Sequence, residues 1–320
     1  LLVRRPAVSR SAAPAGPPVS PVSPVSPAPP GPAAVAVLVA RPTGDEVDEG
    51  RRLLLGRSVA VAAGLIAATT TGSGMVTALG APVRRRVTIP LARLSPRHDG
   101  LRIAVVSDIH LGPILGRGHT QRIVDTINGF DADVVAVVGD LVDGTVADLG
   151  SAAEPLAGLR SRAGSYFVTG NHEYFSGFEP WIEKISSLGL RVLRNELVHL
   201  DGIDLAGVND VTGGSYHDPA DYDRALADRD PDRPVVLLAH QPIQAHEAAR
   251  RGVDLQLSGH THGGQLWPFP LAVAAQQPMV AGLGRVDGMP VYVTRGAGFW
   301  GPPVRVGAPP DISLVTLRSR

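Results

Sequence analysis

Five short segments of this sequence carry the residue types that hold divalent cations, mostly beside glycine. They are Asp108-Ile109-His110, Gly139-Asp140-Leu141-Val142-Asp143, Gly170-Asn171-His172-Glu173, the single His240, and Gly259-His260-Thr261-His262-Gly263-Gly264. Carboxylate, imidazole and an Asn carbonyl are hard or borderline donors. That inventory suits a pair of divalent cations such as Mn²⁺, Zn²⁺ or Fe held by oxygen and nitrogen. Asp108 and His110 stand two residues apart, as do His260 and His262. On an extended segment both members of each pair then project from the same side. A carboxylate such as Asp140 has two oxygens and can bridge metals about 3.5–4 Å apart, the separation used for in-line displacement at phosphorus.

Each segment follows a predicted strand. Ile103–Val106 leads into Asp108, Val134–Val138 into Asp140, Tyr166–Val168 into Asn171, Val235–Ala239 into His240 and Leu255–Leu257 into His260. The carboxyl ends of strands line the ligand crevice in open α/β sheets, so segments far apart in sequence can converge there. Further strands are expected at Ile203–Val208, Val291–Thr294 and Ile312–Leu317, and helices at Arg117–Asn128, Ala152–Arg160, Phe178–Leu188 and Ile243–Arg250. The alternation predicts an α/β fold with mixed sheets and flanking helices. The early strands are apolar throughout, as a sheet covered on both faces requires. Val253–Ser258 and Ile312–Leu317 alternate apolar with polar residues, so half-exposed or antiparallel strands are expected there.

Composition narrows the chemistry. The 320 residues contain no cysteine, which removes disulfides, thiol nucleophiles, iron–sulfur clusters and Cys-ligated zinc. Lys+Arg and Asp+Glu balance at 30 each, so no net charge favours nucleic acid. Neither a P-loop nor a Gly-x-Ser-x-Gly elbow occurs.

Asp-x-His, Gly-Asp-x-x-Asp, Gly-Asn-His-Glu, a lone His after a strand and Gly-His-Thr-His appear in the order that the calcineurin-like metallophosphoesterase superfamily shows. The likeness covers about Leu101 to Leu317, and Gly-His-Thr-His-Gly-Gly-Gln resembles the bacterial branch whose catalytic domain follows a membrane segment or export signal. The resemblance implies mixed sheets packed as a sandwich between helices. It also implies one metal on Asp108, His110, Asp140 and His262, and a second on Asn171, His240 and His260 with Asp140 shared. In that scheme a hydroxide between the two cations attacks a phosphomonoester or phosphodiester, and His172 faces the phosphate, stabilising the transition state or protonating the leaving oxygen. Asp143 is expected to support a ligand rather than to be one. The alternatives are a catalytically inactive metal-binding scaffold on the same fold, or a sensor whose membrane segment is the working part.

Ahead of this domain, expected over residues 87–320, stand two stretches of other character. Residues 1–50 read as a Pro-rich tail or linker, with ten prolines in the first 32 residues. The chain opens on Leu1, so a fragment lacking upstream residues is expected. Residues 51–86 read as a transmembrane helix or a twin-arginine-type signal: Arg51-Arg52-Leu53-Leu54-Leu55 precedes an uncharged run, Ser58–Ala81. As a helix of 24 residues that run is about 36 Å long, enough for a hydrocarbon core of about 30 Å. Arginines flank both ends, leaving the membrane side open, and a buried Ala-rich helix is the soluble alternative. A membrane-proximal phosphoesterase suggests a lipid or cell-envelope phosphate as one substrate class, a small-molecule ester as the other. His98, His119, His199, His217 and His246 are expected to be ordinary surface or hydrogen-bonded histidines, and Arg295 to form a salt bridge. Tyr174, Trp267 and Trp300 are expected to pack, or else to line the cleft.

Overall fold

The computed structural model describes residues 48–320. The Pro-rich stretch expected over residues 1–50 thus lies outside the described residues except for its last three. Contacts divide the chain into residues 1–55 and 56–320. Of the first unit the described part is the opening of a helix, α1 (Glu49–Leu79), in whose first turn the Arg51 amide donates to the Asp48 carboxylate at 3.1 Å.

In chain order the strands are β1 (Val83–Leu91), β2 (Arg102–Val106), β3 (Val134–Val138), β4 (Ser165–Val168), β5 (Arg191–Val192) and β6 (Glu196–Leu200), then β7 (Ile203–Gly207), β8 (Val235–Leu238), β9 (Leu255–Ser258), β10 (Gly282–Val286), β11 (Met289–Val293) and β12 (Asp311–Ser319). The helices after α1 are α2 (Arg117–Asn128), α3 (Val146–Ala153), α4 (Asn171–Phe175), α5 (Phe178–Ser187), α6 (Tyr222–Ala225), α7 (Ala245–Arg250) and α8 (Pro270–Gln276). Two six-stranded mixed sheets result, ordered β1-β12-β2-β3-β4-β5 and β10-β11-β9-β8-β7-β6.

The sheets face each other across a shared apolar layer in which Ile103, Val105, Ala136 and Val138 meet Leu205, Val236, Leu238 and Leu257. The opposite face of the first sheet buries Ala104, Val106, Val135 and Val137 against Ile123 and Ile127 of α2 and Trp181 and Ile185 of α5. The outer face of the second sheet packs Ala206, Val235 and Leu237 against Ala225 of α6 and Ala245 and Ala248 of α7. Runs such as Val134–Val138 are apolar at every position because both of their faces are covered. The α/β sandwich flanked by helices is the architecture anticipated.

Register does the positioning. Val106 pairs with Val137 and Val138 with Val168, all in parallel, so β2, β3 and β4 end along one edge. In the other sheet Leu238 pairs with Leu257, and β8 and β9 end together.

Three expectations need correction. The alternating strand β9 is neither exposed nor antiparallel: it is buried throughout and parallel to β8 and β11. Its polar side chains bond within the protein, with Gln256 donating to Ser258 Oγ at 2.8 Å and Ser258 to the Ala239 carbonyl at 2.7 Å, while Gln256 Oε1 is buried without a partner. The helix expected over Ala152–Arg160 instead begins at Val146, capped by Thr145, and passes into a 3-10 turn at Glu154–Gly158 where Pro155 withholds a donor. Finally, α1 ends at Leu79, and Val83–Arg86 belong to β1, which pairs in parallel with β12. Arg85 thereby reaches Asp311 at 2.7 Å, while Arg84 and Arg86 stay exposed.

Candidate metal centre

Asp108 and His110 follow β2, Asp140 follows β3, Asn171 and His172 open α4 after β4, His240 follows β8, and His260 and His262 follow β9. The structure brings all eight together. Asp108, His110 and His262 offer ligand atoms within 4.8 Å of one another, as do Asp140, His240 and His260. His260 Nδ1 lies 3.0 Å from Asn171 Oδ1, which joins Asn171 to the second group. Asp140 Oδ2 stands 3.1 Å from His240 Nε2 and 3.9 Å from His110 Nε2, between the two groups.

The surroundings fix these donors. Glu173, fully buried, accepts from the amides of Asp140 at 3.0 Å, Leu141 at 2.7 Å and Gly170 at 2.6 Å, so one carboxylate pins the β3 and β4 turns together. Asp108 accepts the His260 amide on both oxygens at 3.0 Å, tying the two sheets across the site. Gly170 is required by space rather than by dihedral: a Cβ there would collide with the carboxylate and amide of Asp140. Asp143 Oδ1 accepts from His110 Nδ1 at 2.7 Å and from His172 Nδ1 at 2.8 Å. That places the proton on each Nδ1 and leaves His110 Nε2 without one, although Asp143, His110 and His172 also offer ligand atoms within 4.8 Å of one another. His240 Nδ1 likewise donates to the Val138 carbonyl at 2.8 Å, directing Nε2 inward.

Electrostatics mark this as a site of strained ionisation. Burial pushes the Asp108 carboxyl up, with Asp140 adding to the effect. Burial acts the same way on Asp140, but the imidazoles of His240 and His110 outweigh it and hold that carboxyl well below the ordinary range. Glu173 is pushed up to about 7 by burial and by Asp140. Burial and the charge of His240 hold His260 down to about 3, and burial with His110 holds His262 well below its ordinary value. His260 and His262 are thus held neutral and Asp140 ionised, the states that metal ligation needs, whereas Asp140 holds His240 protonated against its burial and Asp108 is pushed towards its protonated form.

The residues fit divalent cations. His240 Nε2 is buried and makes no hydrogen bond, since Asp140 Oδ2, though close, is not aligned with it. His110 Nε2 and His262 Nε2 face each other at 3.0 Å, with Asp108 Oδ1 3.4 Å from the latter. A buried imidazole nitrogen without a hydrogen-bond partner, and two more converging beside a carboxylate, are donors suited to a divalent cation. One contact stands against this. The buried Arg305 guanidinium lies 2.9 Å from His262 Nδ1, which only an unprotonated Nδ1 accepts, whereas a neutral ring ligating through Nε2 carries its proton on Nδ1.

A cavity of about 710 Å³ opens over these donors, lined by the polar Asp140, Asn171, His172 and His260 and by the apolar Phe175, Leu266, Phe269 and Trp300. His172, at its wall, is raised in pKa: burial opposes this, but the hydrogen bond to Asp143 prevails. Trp300 lines the cavity, whereas Tyr174 is buried and donates to Asp218 at 2.9 Å. Arg295 pairs with Asp311 at 3.4 Å, outside the donor set. Of the remaining histidines, His98, His199 and His246 pair with Asp201, Asp204 and Asp287, His119 is buried, and His217 is exposed. Sequence reasoning missed Glu173 as a clamp and Arg305 altogether. Glu173 stood inside a recognised motif; Arg305 had no local signal.

A family model described as calcineurin-like phosphoesterase matches residues 101–264. A "Transmembrane protein with metallophosphoesterase domain" from Danio rerio is 40% identical over 268 residues, 79% of this chain and 61% of that protein. Uncharacterized metallophosphoesterases from Helicobacter pylori strain J99 and from Aquifex aeolicus are 39% and 32% identical, the former over 76% of this chain and 66% of its own length, the latter over 73% and 91%. The chain thus spans about three fifths of the Danio rerio relative. With the model covering half of the sequence and every motif of the site falling inside it, the chain belongs to the calcineurin-like phosphoesterase family.

Proposed function

We propose that this protein is a metal-dependent phosphoesterase that hydrolyses a phosphomonoester or phosphodiester at a dinuclear centre. The observation that carries the reading is the gathering of seven donors from five strand ends around a buried imidazole nitrogen with no other partner. Asp108, His110, Asp140 and His262 would hold one divalent cation, and Asp140, Asn171, His240 and His260 the other, with Mn, Fe or Zn suited to the donors. Bound there, the cations would supply Lewis acidity, acidifying water and neutralising charge on the phosphoryl oxygens. The chain's own residues do the rest. Asp143 keeps a proton on His172 Nδ1 and aims the ring, leaving Nε2 to meet a phosphate oxygen or to protonate the departing alkoxide. Glu173 holds the Asp140 turn rigid. The apolar wall of Phe175, Phe269 and Trp300 would exclude water and accept the alcohol side of the ester.

Residues 87–320, with β1 added, form the catalytic domain in this reading, and 51–86 carry a membrane segment. In support, α1 is long and apolar enough to cross a bilayer, only Gly74 and Ala78 on it are buried, and two relatives are named as transmembrane proteins. A lipid or cell-envelope phosphate ester is the substrate class that such an anchor favours. The test is to load the chelator-treated full chain with Mn²⁺, Fe²⁺ or Zn²⁺ separately and compare an aryl phosphomonoester, an aryl phosphodiester and a phospholipid. Turnover with at least one metal, lost on chelation, is expected. Metal bound at these residues without turnover of any of the three would favour the inactive scaffold.

A further inference from the structure

The last turns of α1 are attached to the rim of the catalytic cavity. Gly74 packs so closely on Val304 and Val306 that an added Cβ would lie 2.5 Å and 3.1 Å from their methyl groups. Its carbonyl accepts the Arg305 amide at 3.0 Å. Ala78 packs with Phe299 and Leu115 in a small apolar cluster. The segment from Phe299 to Val306 is bonded in turn to the loop at Gln265–Trp267. Gln265 Nε2 donates to the Trp300 carbonyl at 2.7 Å, the Trp300 amide donates back to Gln265 Oε1 at 3.0 Å, and the Trp267 amide reaches the Val306 carbonyl at 3.3 Å. Helix end, segment and loop form one connected rim.

That rim is apolar and bare. Trp267, Phe269, Leu271 and Trp300 are 67%, 59%, 65% and 56% exposed, and Phe269 and Trp300 also line the cavity. Single exposed apolar residues are ordinary, but four large ones on one connected rim mark an interaction surface. Its depth relative to α1 says what covers it. Gly74 lies seven residues before the end of the uncharged run Ser58–Ala81, so the contact sits about 10 Å inside that run along the helix axis. The run has little length to spare over a hydrocarbon core of about 30 Å. With the run centred, a segment touching α1 at that point lies about 7 Å inside the hydrocarbon boundary, close beneath the interface, where Trp side chains concentrate because one part of the ring is apolar and the other hydrogen-bonds.

We infer that the rim formed by Trp267, Phe269, Leu271 and Trp300 is seated in the lipid interface, so that the metal cavity opens at the membrane surface. The inference rests on reading α1 as a membrane span, and deepens the lipid-substrate reading of the same site by placing the mouth where lipid phosphates are.

Tryptophan fluorescence tests it directly. The chain has three tryptophans, none in α1, and Trp181 is fully buried in the core, so the other two report on the rim. The full chain is reconstituted in phosphatidylcholine vesicles and floated to establish that it is membrane-bound. Emission is then compared in plain vesicles and in vesicles whose acyl chains carry bromine near the headgroup end. Roughly half of the emission should be quenched by the bromolipid. In the Trp267→Phe/Trp300→Phe double variant quenching should disappear, because only Trp181 emits. Two results would overturn the inference in protein that floats: rim tryptophans quenched by aqueous acrylamide but not by bromolipid, or shielded from both quenchers, as a second copy covering the rim would give. Protein that fails to float refutes the membrane reading of α1 instead, and the rim seating with it. Since no step requires turnover, the phosphoesterase reading is not at stake in any of these outcomes.

Discussion

Removing the Asp143 carboxylate should separate metal binding from turnover. One oxygen of Asp143 accepts from His110 at 2.7 Å and from His172 at 2.8 Å, and together these imidazoles hold the Asp143 carboxyl down to about 2 against its burial. A hydrogen bond to a charged group is worth about 1.5–3 kcal/mol net. The His110 side chain is 1% exposed, so its bond should keep about 1.5 kcal/mol; that of His172, at 17%, is more diluted by solvent, leaving about 1 kcal/mol. In Asp143→Ala, affinity for the first cation should therefore fall about tenfold, and turnover at saturating metal about fivefold. Asp143→Asn keeps an acceptor oxygen but not the charge, and should lose roughly half as much free energy in each. Calorimetric titration of Mn²⁺ into chelator-treated protein gives the first quantity, and initial rates on an aryl phosphomonoester at saturating Mn²⁺ the second. If Asp143→Ala bound Mn²⁺ as tightly as the parent, the contact to His110 would orient nothing. If turnover held while affinity fell, the contact to His172 would be idle.

Other perturbations probe the rest of the site and the fold. Gly170→Ala forces a Cβ onto Asp140 and should cost about 1–3 kcal/mol by urea unfolding, with at least about tenfold weaker metal binding; parental stability and affinity would show that the turn has room. His172→Ala should retain both metals by elemental analysis while turnover falls about a hundredfold, and unchanged kinetics would remove His172 from the chemistry. His119 is held neutral down to about 4, mainly by burial and also by Arg122, whereas an unfolded histidine takes up its proton near 6.5. Because the unfolded state binds that proton first, stability is lost as pH falls from about 6.5 to about 4, by about 3 kcal/mol from this residue. His119→Leu in chelator-treated protein should lose correspondingly less on acidification, and an equal loss would refute the assignment. Stripping the metals with a chelator should leave the far-ultraviolet dichroism unchanged while abolishing activity; loss of secondary structure would contradict a preformed site.

What was legible in the sequence was local. A strand buried on both faces announces itself as a run such as Val134–Val138, and a donor beside glycine directly after it announces the turn at the sheet edge. Five strands ending in donors, three of them with glycine adjacent, give both the α/β fold and the donor inventory without any long-range information. The opposite case is β9, whose Gln256 and Ser258 imitate the alternation of a half-exposed strand. Only the partners at Ala239 and within the strand itself, set by tertiary packing, reveal that these polar atoms are buried. Arg305 is hidden for the same reason. It lies in a Pro-rich segment without periodicity, and its donors reach the carbonyls of Gly298, Ala308 and His262 only because the chain folds back there. Likewise nothing in the composition of Arg84–Arg86 announces the strand that pairs with β12.

The donors themselves carry a conformational cost that explains this division. Asp108, His110, Asp140, His260 and His262 all have positive φ, between 49° and 72°, a region that residues other than glycine seldom occupy. At about 1 kcal/mol or more each, five such residues cost an amount comparable with the net stability of a typical domain, about 5–15 kcal/mol. Strain of that size persists only where the surroundings dictate it. Here they do: parallel registers end β2, β3 and β4 together, Glu173 locks the Asp140 and Gly170 turns, and Asp108 holds the His260 amide across the two sheets. The scaffold therefore aims the donors before any cation arrives, and binding need not supply the free energy of folding. In a site assembled by the metal, donors could adopt relaxed backbone angles and the sandwich would be incidental. Five strained donors on aligned strand ends indicate the reverse order, with packing first and ligation second.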